Sequence, residues 1–257
     1  MSAAKLQLTQ RVFHVGTLLY YIAVNAYIVA GMEHAYEKLG RPKDDPMVTR
    51  MLAGSATYFT VWNLLVQQVY FSLCCLEYLL ELFPKALSPT AQEQMRTTRR
   101  IMLPTLLFPC SCEVVFNFWA LYWVSPRLVF GDFLDVINPM WINHAIHTNI
   151  LPIAVLEMLL RARSEGVWDG GFLRDANKLN SFFTVYLVTV LVGYYRRGTW
   201  PYPFMDPLNG LMFFGLVALC YVMGWIWFSF GRCLNQIFSG GLEAARRQPV
   251  DLSMKTR

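Results

Sequence analysis

Two histidines, His144 and His147, lie three residues apart at the start of an apolar segment of the sequence. Residues at this spacing are neighbours on a helix surface, so we expect the two imidazoles to share a face. Thr60 lies in another apolar segment. An imidazole beside a threonine hydroxyl can accept its proton and later protonate a leaving group. These residue types therefore predict acyl-transfer chemistry if the fold brings Thr60 to one of the histidines.

Such a site needs two further groups, one that orients the imidazole and one that stabilises an oxyanion. Glu113, Asn143 and Asp135 are the candidates for the orienting group. Asn149, Asn143 and Tyr202 are the candidates for the oxyanion donor, and the sequence does not choose among them.

The elements that must position these residues are membrane-spanning helices. The chain has 257 residues, 55% hydrophobic and only 15% charged, whereas soluble domains carry about 25% charged residues. A helix crosses the bilayer with about 20 apolar residues. We therefore predict an all-α polytopic protein, a single bundle of six transmembrane helices over about 12–32, 51–80, 101–124, 140–160, 179–195 and 208–230, and a polar mobile tail over 242–257.

Most of the 22 Lys and Arg residues fall on the side of the predicted bundle that carries both termini. The positive-inside rule therefore predicts cytosolic termini. Thr60 would lie about nine residues into a span that starts near Met51, and His147 about eight residues beyond Pro139, which is roughly 12 to 13 Å of helix in each case. The aromatic stretch 198–204, with Trp200, is expected at the same membrane side. The net charge of +5 is modest and does not indicate nucleic-acid binding.

Four stretches carry a resemblance to a known family. The stretch 141–148 reads W-I-N-H-A-I-H-T and is followed by Leu151, Pro152 and Glu157. It resembles a signature of the FAR-17a/androgen-induced protein family. The stretches 59–67, 108–119 and 200–204 are similar to other parts of that family, in the same order from about residue 50 to about residue 230.

The resemblance implies a multipass membrane hydrolase of fatty acid esters of hydroxy fatty acids. It implies Thr60 as the nucleophile and His147 as the general base, acting through an acyl-enzyme without cofactor or metal. His144 matches the first histidine of the signature and would support the site or contact substrate. The expected partners are the lipid ester and membrane lipids, in the endoplasmic reticulum or plasma membrane. The expected supporting or substrate-binding residues are His144, Asn143, Asn149, Trp200, Tyr202 and Glu113.

Two other functions remain open at this point. A transporter or receptor could use the histidines for ligand binding or proton relay, although no internal repeat of the kind common in transporters is visible. A metal-dependent oxidase could use H-x-x-H, but the four histidines are too few for a typical diiron site. Cys110 and Cys112 form no complete ligand set. His14, near the end of the first segment, is expected at the membrane interface.

Overall fold

The computed structural model describes residues 2–40, 42, 44, 54–130, 139–165 and 170–247. Its longer helices are α1 (Ala3–Glu33), α2 (Phe59–Leu82), α3 (Pro89–Met102), α4 (Phe108–Val124), α5 (Met140–His147), α6 (Ile150–Glu165), α7 (Phe172–Arg197) and α8 (Gly210–Arg247). A π-helical segment, Leu103–Leu107, joins α3 to α4. Short helical turns cover Ala35–Lys38, Ser55–Thr57, Arg127–Phe130 and Pro203–Met205. The described residues contain no strand, which confirms the all-α class.

Five helical stretches are long and apolar enough to cross a membrane: Ala3–Met32, Phe59–Leu82, Pro89–Val124, Met140–Glu165 and Gly210–Ser239. The chain is therefore a multi-pass integral membrane protein. The predicted span 179–195 lies within α7, which forms a helix but is outside this set of five because Asn180, Ser181 and Thr184 dilute its apolar character. Helix α8 continues to Arg247, so the predicted polar tail begins inside it, and 248–257 lie outside the described residues.

Side chains from α1, α2, α4, α5 and α6 form the main hydrophobic core. Tyr21, Phe71, Phe108, Ile142 and Met158 are its larger members, one from each of these helices, and all are at most 1% exposed. Aromatic packing at this density fixes the helices relative to one another, because buried rings tolerate few alternative arrangements. The core therefore holds α2 and α5 side by side, which is the relationship that the site needs.

Helix α2 begins at Phe59 rather than near Met51. The residue before it, Tyr58, is extended, and the 3₁₀ turn Ser55–Thr57 precedes that. The Thr57 hydroxyl donates to the Gly54 carbonyl at 2.6 Å. A side chain that bonds the local backbone in this way competes with helix formation. Thr60 is consequently the second residue of its helix and not nine residues into it.

The predicted fourth span is broken into α5 and α6 at Thr148 and Asn149. Pro152 accounts for the break, because its ring lacks an N–H and crowds the carbonyl four residues earlier, that of Thr148. The backbone N–H groups of Thr148 and Asn149 both donate to the His144 carbonyl, at 3.0 and 2.9 Å. His147 is therefore the last residue of α5.

Candidate active site

Thr60 and His147, which are far apart in the sequence, meet between α2 and α5. Thr60 Oγ1 lies 3.1 Å from His147 Nε2, within hydrogen-bond distance. His147 is 3% exposed, whereas Thr60 is partly accessible. A hydroxyl within hydrogen-bond distance of a buried imidazole is an arrangement that a nucleophile and its general base can adopt.

Contacts to the ring and to the backbone of His147 fix the orientation of its imidazole. The Phe118 ring stacks on it, with ring centroids 3.5 Å apart and planes inclined by 6°. The Trp119 indole N–H donates to the His147 carbonyl at 3.0 Å and so fixes the backbone. The backbone of Asn143, one turn earlier, also lies close to the imidazole. Aromatic stacking and a main-chain contact thus orient this ring.

The start of α2 is anchored by Tyr202 from the loop after α7. The Phe59 N–H, immediately before Thr60, donates to the Tyr202 hydroxyl at 2.9 Å. The first N–H groups of any helix have no partner within the helix, so an external acceptor stabilises them. Burial raises the pKa of Tyr202 to about 12, which keeps the phenol protonated. Tyr202 therefore acts on Thr60 through the backbone of α2.

The polar groups of the residues before α2 are hydrogen-bonded by side chains of α7 and of α2 itself. The Tyr186 hydroxyl donates to the Thr57 carbonyl at 3.0 Å, and Arg197 donates to the Thr57 hydroxyl at 3.2 Å. The Trp62 indole N–H donates to the Ala56 carbonyl at 2.8 Å. Irregular backbone at membrane depth requires such internal partners. These contacts allow α2 to begin beside His147.

Aromatic rings from α2 and α7 form an apolar wall beside the pair. Phe59 lies 4.9 Å from Tyr186 and 5.7 Å from Phe183, measured between ring centroids. Trp62 lies 5.5 Å from Phe182. Phe59 adjoins Thr60 directly in the chain. A substrate with long alkyl chains could lie along such a wall.

The two histidines differ in environment. His144 is exposed, and its Nδ1 lies 3.1 Å from the Thr148 hydroxyl. Trp119 stacks on its ring at 5.3 Å between centroids. Residues three apart on a helix are about 60° from superposition, and here that angle separates an exposed ring from the buried ring of His147. The two histidines therefore lie on neighbouring parts of α5, with His144 at the surface and His147 in the interior.

Two residues singled out by the sequence contact other parts of the chain. Asn149 donates from its amide to the Tyr20 hydroxyl at 3.0 Å, which turns it towards α1. Trp200 stacks between Tyr194, at 3.9 Å, and Phe213, at 5.0 Å. The contacts of Trp200 join the loop after α7 to α8.

Of the candidates for the group that orients the imidazole, Glu113 has its contact elsewhere on α4. Glu113 accepts from the Asn117 amide at 2.8 Å and lies more than one turn along α4 from Phe118, the ring that stacks on His147. Asp135 lies outside the described residues. Asn143 is 1% exposed and supplies the backbone contact described above.

A buried ionic network in the other half of the bundle was not predicted from the sequence. His14 is fully buried rather than interfacial. Its ring nitrogens contact the Tyr78 hydroxyl at 2.6 Å and the Glu157 carboxylate at 2.7 Å. Glu157 also accepts from Tyr70 at 2.6 Å and from Arg161 at 2.8 Å. The available signal was the presence of a histidine and a glutamate inside two apolar segments.

His14, Cys74 and Glu157 place three potential metal-ligand atoms within 4.8 Å of one another. The groups already have partners, because Arg161 donates to the Cys74 sulfur at 3.2 Å and to Glu157. A cation here would lie against the guanidinium. This chemistry favours an ion-pair network that joins α1, α2 and α6 over a metal centre.

Comparison with known proteins places these residues in a family. A profile described as FAR-17a/AIG1-like protein matches residues 9–236, which include Thr60 and His147. The androgen-dependent TFPI-regulating protein of Mus musculus is 30% identical over 231 residues, covering 85% of this chain and 94% of the relative. Its Homo sapiens counterpart is 28% identical over 239 residues, covering 92% and 96%.

The androgen-induced gene 1 protein of Homo sapiens is 29% identical over 187 residues, covering 66% of this chain and 75% of the relative. No solved structure matches the chain. The resemblance noted in the sequence is therefore confirmed, and the chain belongs to the FAR-17a/AIG1-like protein family.

Proposed function

We propose that this protein is a membrane-embedded hydrolase of fatty acid esters of hydroxy fatty acids. The observation that carries the proposal is the 3.1 Å contact between Thr60 Oγ1 and His147 Nε2. The substrate class comes from the motif resemblance, and the aromatic wall of Phe59, Trp62 and Phe182 offers an apolar surface for its chains.

The first half-reaction forms an acyl-enzyme. In the tautomer with the proton on Nδ1, the Nε2 lone pair of His147 is available to accept the Thr60 proton. Thr60 Oγ1 then bonds to the ester carbonyl carbon, and the carbonyl π electrons move to its oxygen. When the carbonyl re-forms, the bond to the alkoxy oxygen breaks. His147 returns the proton to that oxygen, and the hydroxy fatty acid leaves.

The second half-reaction restores the threonine. Water attacks the acyl carbon and gives a proton to His147 Nε2. The bond between Thr60 Oγ1 and the acyl carbon breaks, and the proton passes back to Thr60. The net change is one ester and one water converted to a fatty acid and a hydroxy fatty acid, with no cofactor in the balance.

The reaction would take place in the non-cytosolic half of the bilayer, in the endoplasmic reticulum or plasma membrane. This placement follows from the distribution of Lys and Arg, which favours cytosolic termini. His147 lies about 10 Å of helix beyond the start of α5 at Met140. An ester bond in the middle of a branched lipid lies at comparable depth, below the level of its carboxylate.

The test is hydrolysis of a palmitate ester of hydroxystearic acid by purified protein in lipid nanodiscs. Thr60→Val keeps the side-chain shape without the hydroxyl and should abolish turnover, whereas Thr60→Ser should retain it in part. A fluorophosphonate should label Thr60 in the wild type and not in Thr60→Val. Hydrolysis by folded Thr60→Val at the wild-type rate would exclude Thr60 as the nucleophile.

A further inference from the structure

We infer that Asn63 is the oxyanion donor of this site: its side-chain amide N–H stabilises the charge on the substrate carbonyl oxygen when Thr60 attacks. The inference rests on the proposed hydrolase function. It assigns a role to a residue outside the original candidates, Asn149, Asn143 and Tyr202.

Asn63 lies one turn after Thr60 on the same face of α2. Contacts of α2 one turn before Asn63 and one turn after it define the level of its side chain. On one side, His147 lies between Thr60 and the Phe118 ring. On the other side, Gln67 donates to the Ser111 hydroxyl at 2.8 Å. Asn63 is between these levels, so its side chain lies inside the bundle immediately below the nucleophile.

Asn63 is 0% exposed, and neither its Nδ2 nor its Oδ1 has a hydrogen-bond partner in the part of the chain that the structure describes. Buried amides are almost always hydrogen-bonded, and an unpaired one destabilises the fold. The next polar residue on this face, Gln67, is held through its amide nitrogen by Ser111. An unpartnered amide beside the nucleophile therefore points to a bound group that supplies the missing acceptor.

Two of the other donor candidates already have contacts. The Asn149 amide donates to Tyr20, and the Tyr202 hydroxyl accepts from the Phe59 N–H. Asn63 has both amide hydrogens available, and a buried donor stabilises developing charge more strongly than a solvated one. It moves no proton. It donates a hydrogen bond while the π electrons reside on the carbonyl oxygen, and the bond weakens when the carbonyl re-forms.

The test compares Asn63→Leu with Gln68→Leu in the purified protein. Leucine is close to asparagine in shape and has no donor. Gln68 is on another face of α2, and its Nε2 is also buried without a partner among the described residues, so it is a matched control. Asn63→Leu should lower kcat about 100-fold to 1000-fold with KM changed only a few-fold. Gln68→Leu should leave both constants unchanged.

Two ligands separate oxyanion stabilisation from packing. A trifluoromethyl ketone analogue of the substrate forms an oxyanion with the nucleophile, whereas an ether analogue does not. Asn63→Leu should lose affinity for the ketone by about the factor lost in kcat and bind the ether normally. Equal losses for both ligands would overturn the inference, as would an unchanged kcat in Asn63→Leu. Absence of hydrolysis by the wild-type protein would instead overturn the proposed function.

Discussion

Thr60 is the second residue of α2, His147 is the last residue of α5, and their side chains meet at 3.1 Å. The positive end of one helix dipole therefore lies at the proposed nucleophile, and the negative end of another lies at the proposed base. Negative charge is stabilised at helix N-termini and positive charge at C-termini. Proton transfer from Thr60 to His147 produces charges of these signs at these ends.

His147→Gln should lower kcat by about 100-fold to 10,000-fold, because a glutamine can hydrogen-bond Thr60 but cannot accept its proton. His144→Gln should change kcat no more than a few-fold, since the His144 ring is exposed and contacts Thr148 and Trp119. Steady-state hydrolysis by the two variants, side by side, tests the division of roles. Equal losses would show that the histidines act as a unit.

Tyr202→Phe should reduce kcat up to about tenfold, because a lost hydrogen bond is worth about 1 kcal/mol and the start of α2 would lose its acceptor. Tyr195→Phe is the control, since Tyr195 is 90% exposed on the neighbouring helix α7. Both variants should be compared for turnover and for fluorophosphonate labelling of Thr60. Unchanged labelling and turnover in Tyr202→Phe would mean that the anchor does not position the nucleophile.

Pro152→Ala should lower activity without loss of stability. Alanine supplies an N–H for the Thr148 carbonyl and removes the ring that breaks the helix, so α5 and α6 can join. A continuous helix would turn His147 away from Thr60. The measurements are kcat and the midpoint of thermal unfolding. Pro126→Ala, at an exposed position outside the longer helices, should affect neither quantity. Full activity in Pro152→Ala would show that the break is dispensable.

The sequence predicted the apolar helices well because their signal is local: apolar length alone identifies Gly210–Ser239 or Phe59–Leu82 as a span. It also predicted the Thr60 and His147 pairing, through motif resemblance. It did not predict where α2 begins. That position depends on contacts across the fold, from Tyr186 and Tyr202 to the backbone before Thr60.

The same limit applies to single polar residues. Thr60, Asn63 and Gln67 lie at spacings of three and four, which place them on one face of a helix. Only the assembled bundle shows that Ser111 accepts from the Gln67 amide nitrogen, whereas the Asn63 amide has no partner among the described residues. His14 was expected at the interface because it is near a predicted span end, yet α1 extends to Ala3 and carries it into the interior. Its partner Glu157 lies in a distant segment, and residue patterns do not pair such positions.

Glu157→Gln should destabilise the protein by about 3–5 kcal/mol, because it removes the charge that compensates Arg161 in the interior. Glu157 is fully buried and also contacts His14 and Tyr70. It follows His147 by roughly 15 Å of helix, so the turnover of the folded fraction should change little. The exposed Glu93 provides the matched control, Glu93→Gln, with no expected effect. Denaturant unfolding in nanodiscs measures the difference, and wild-type stability in Glu157→Gln would show that the network does not hold the bundle together.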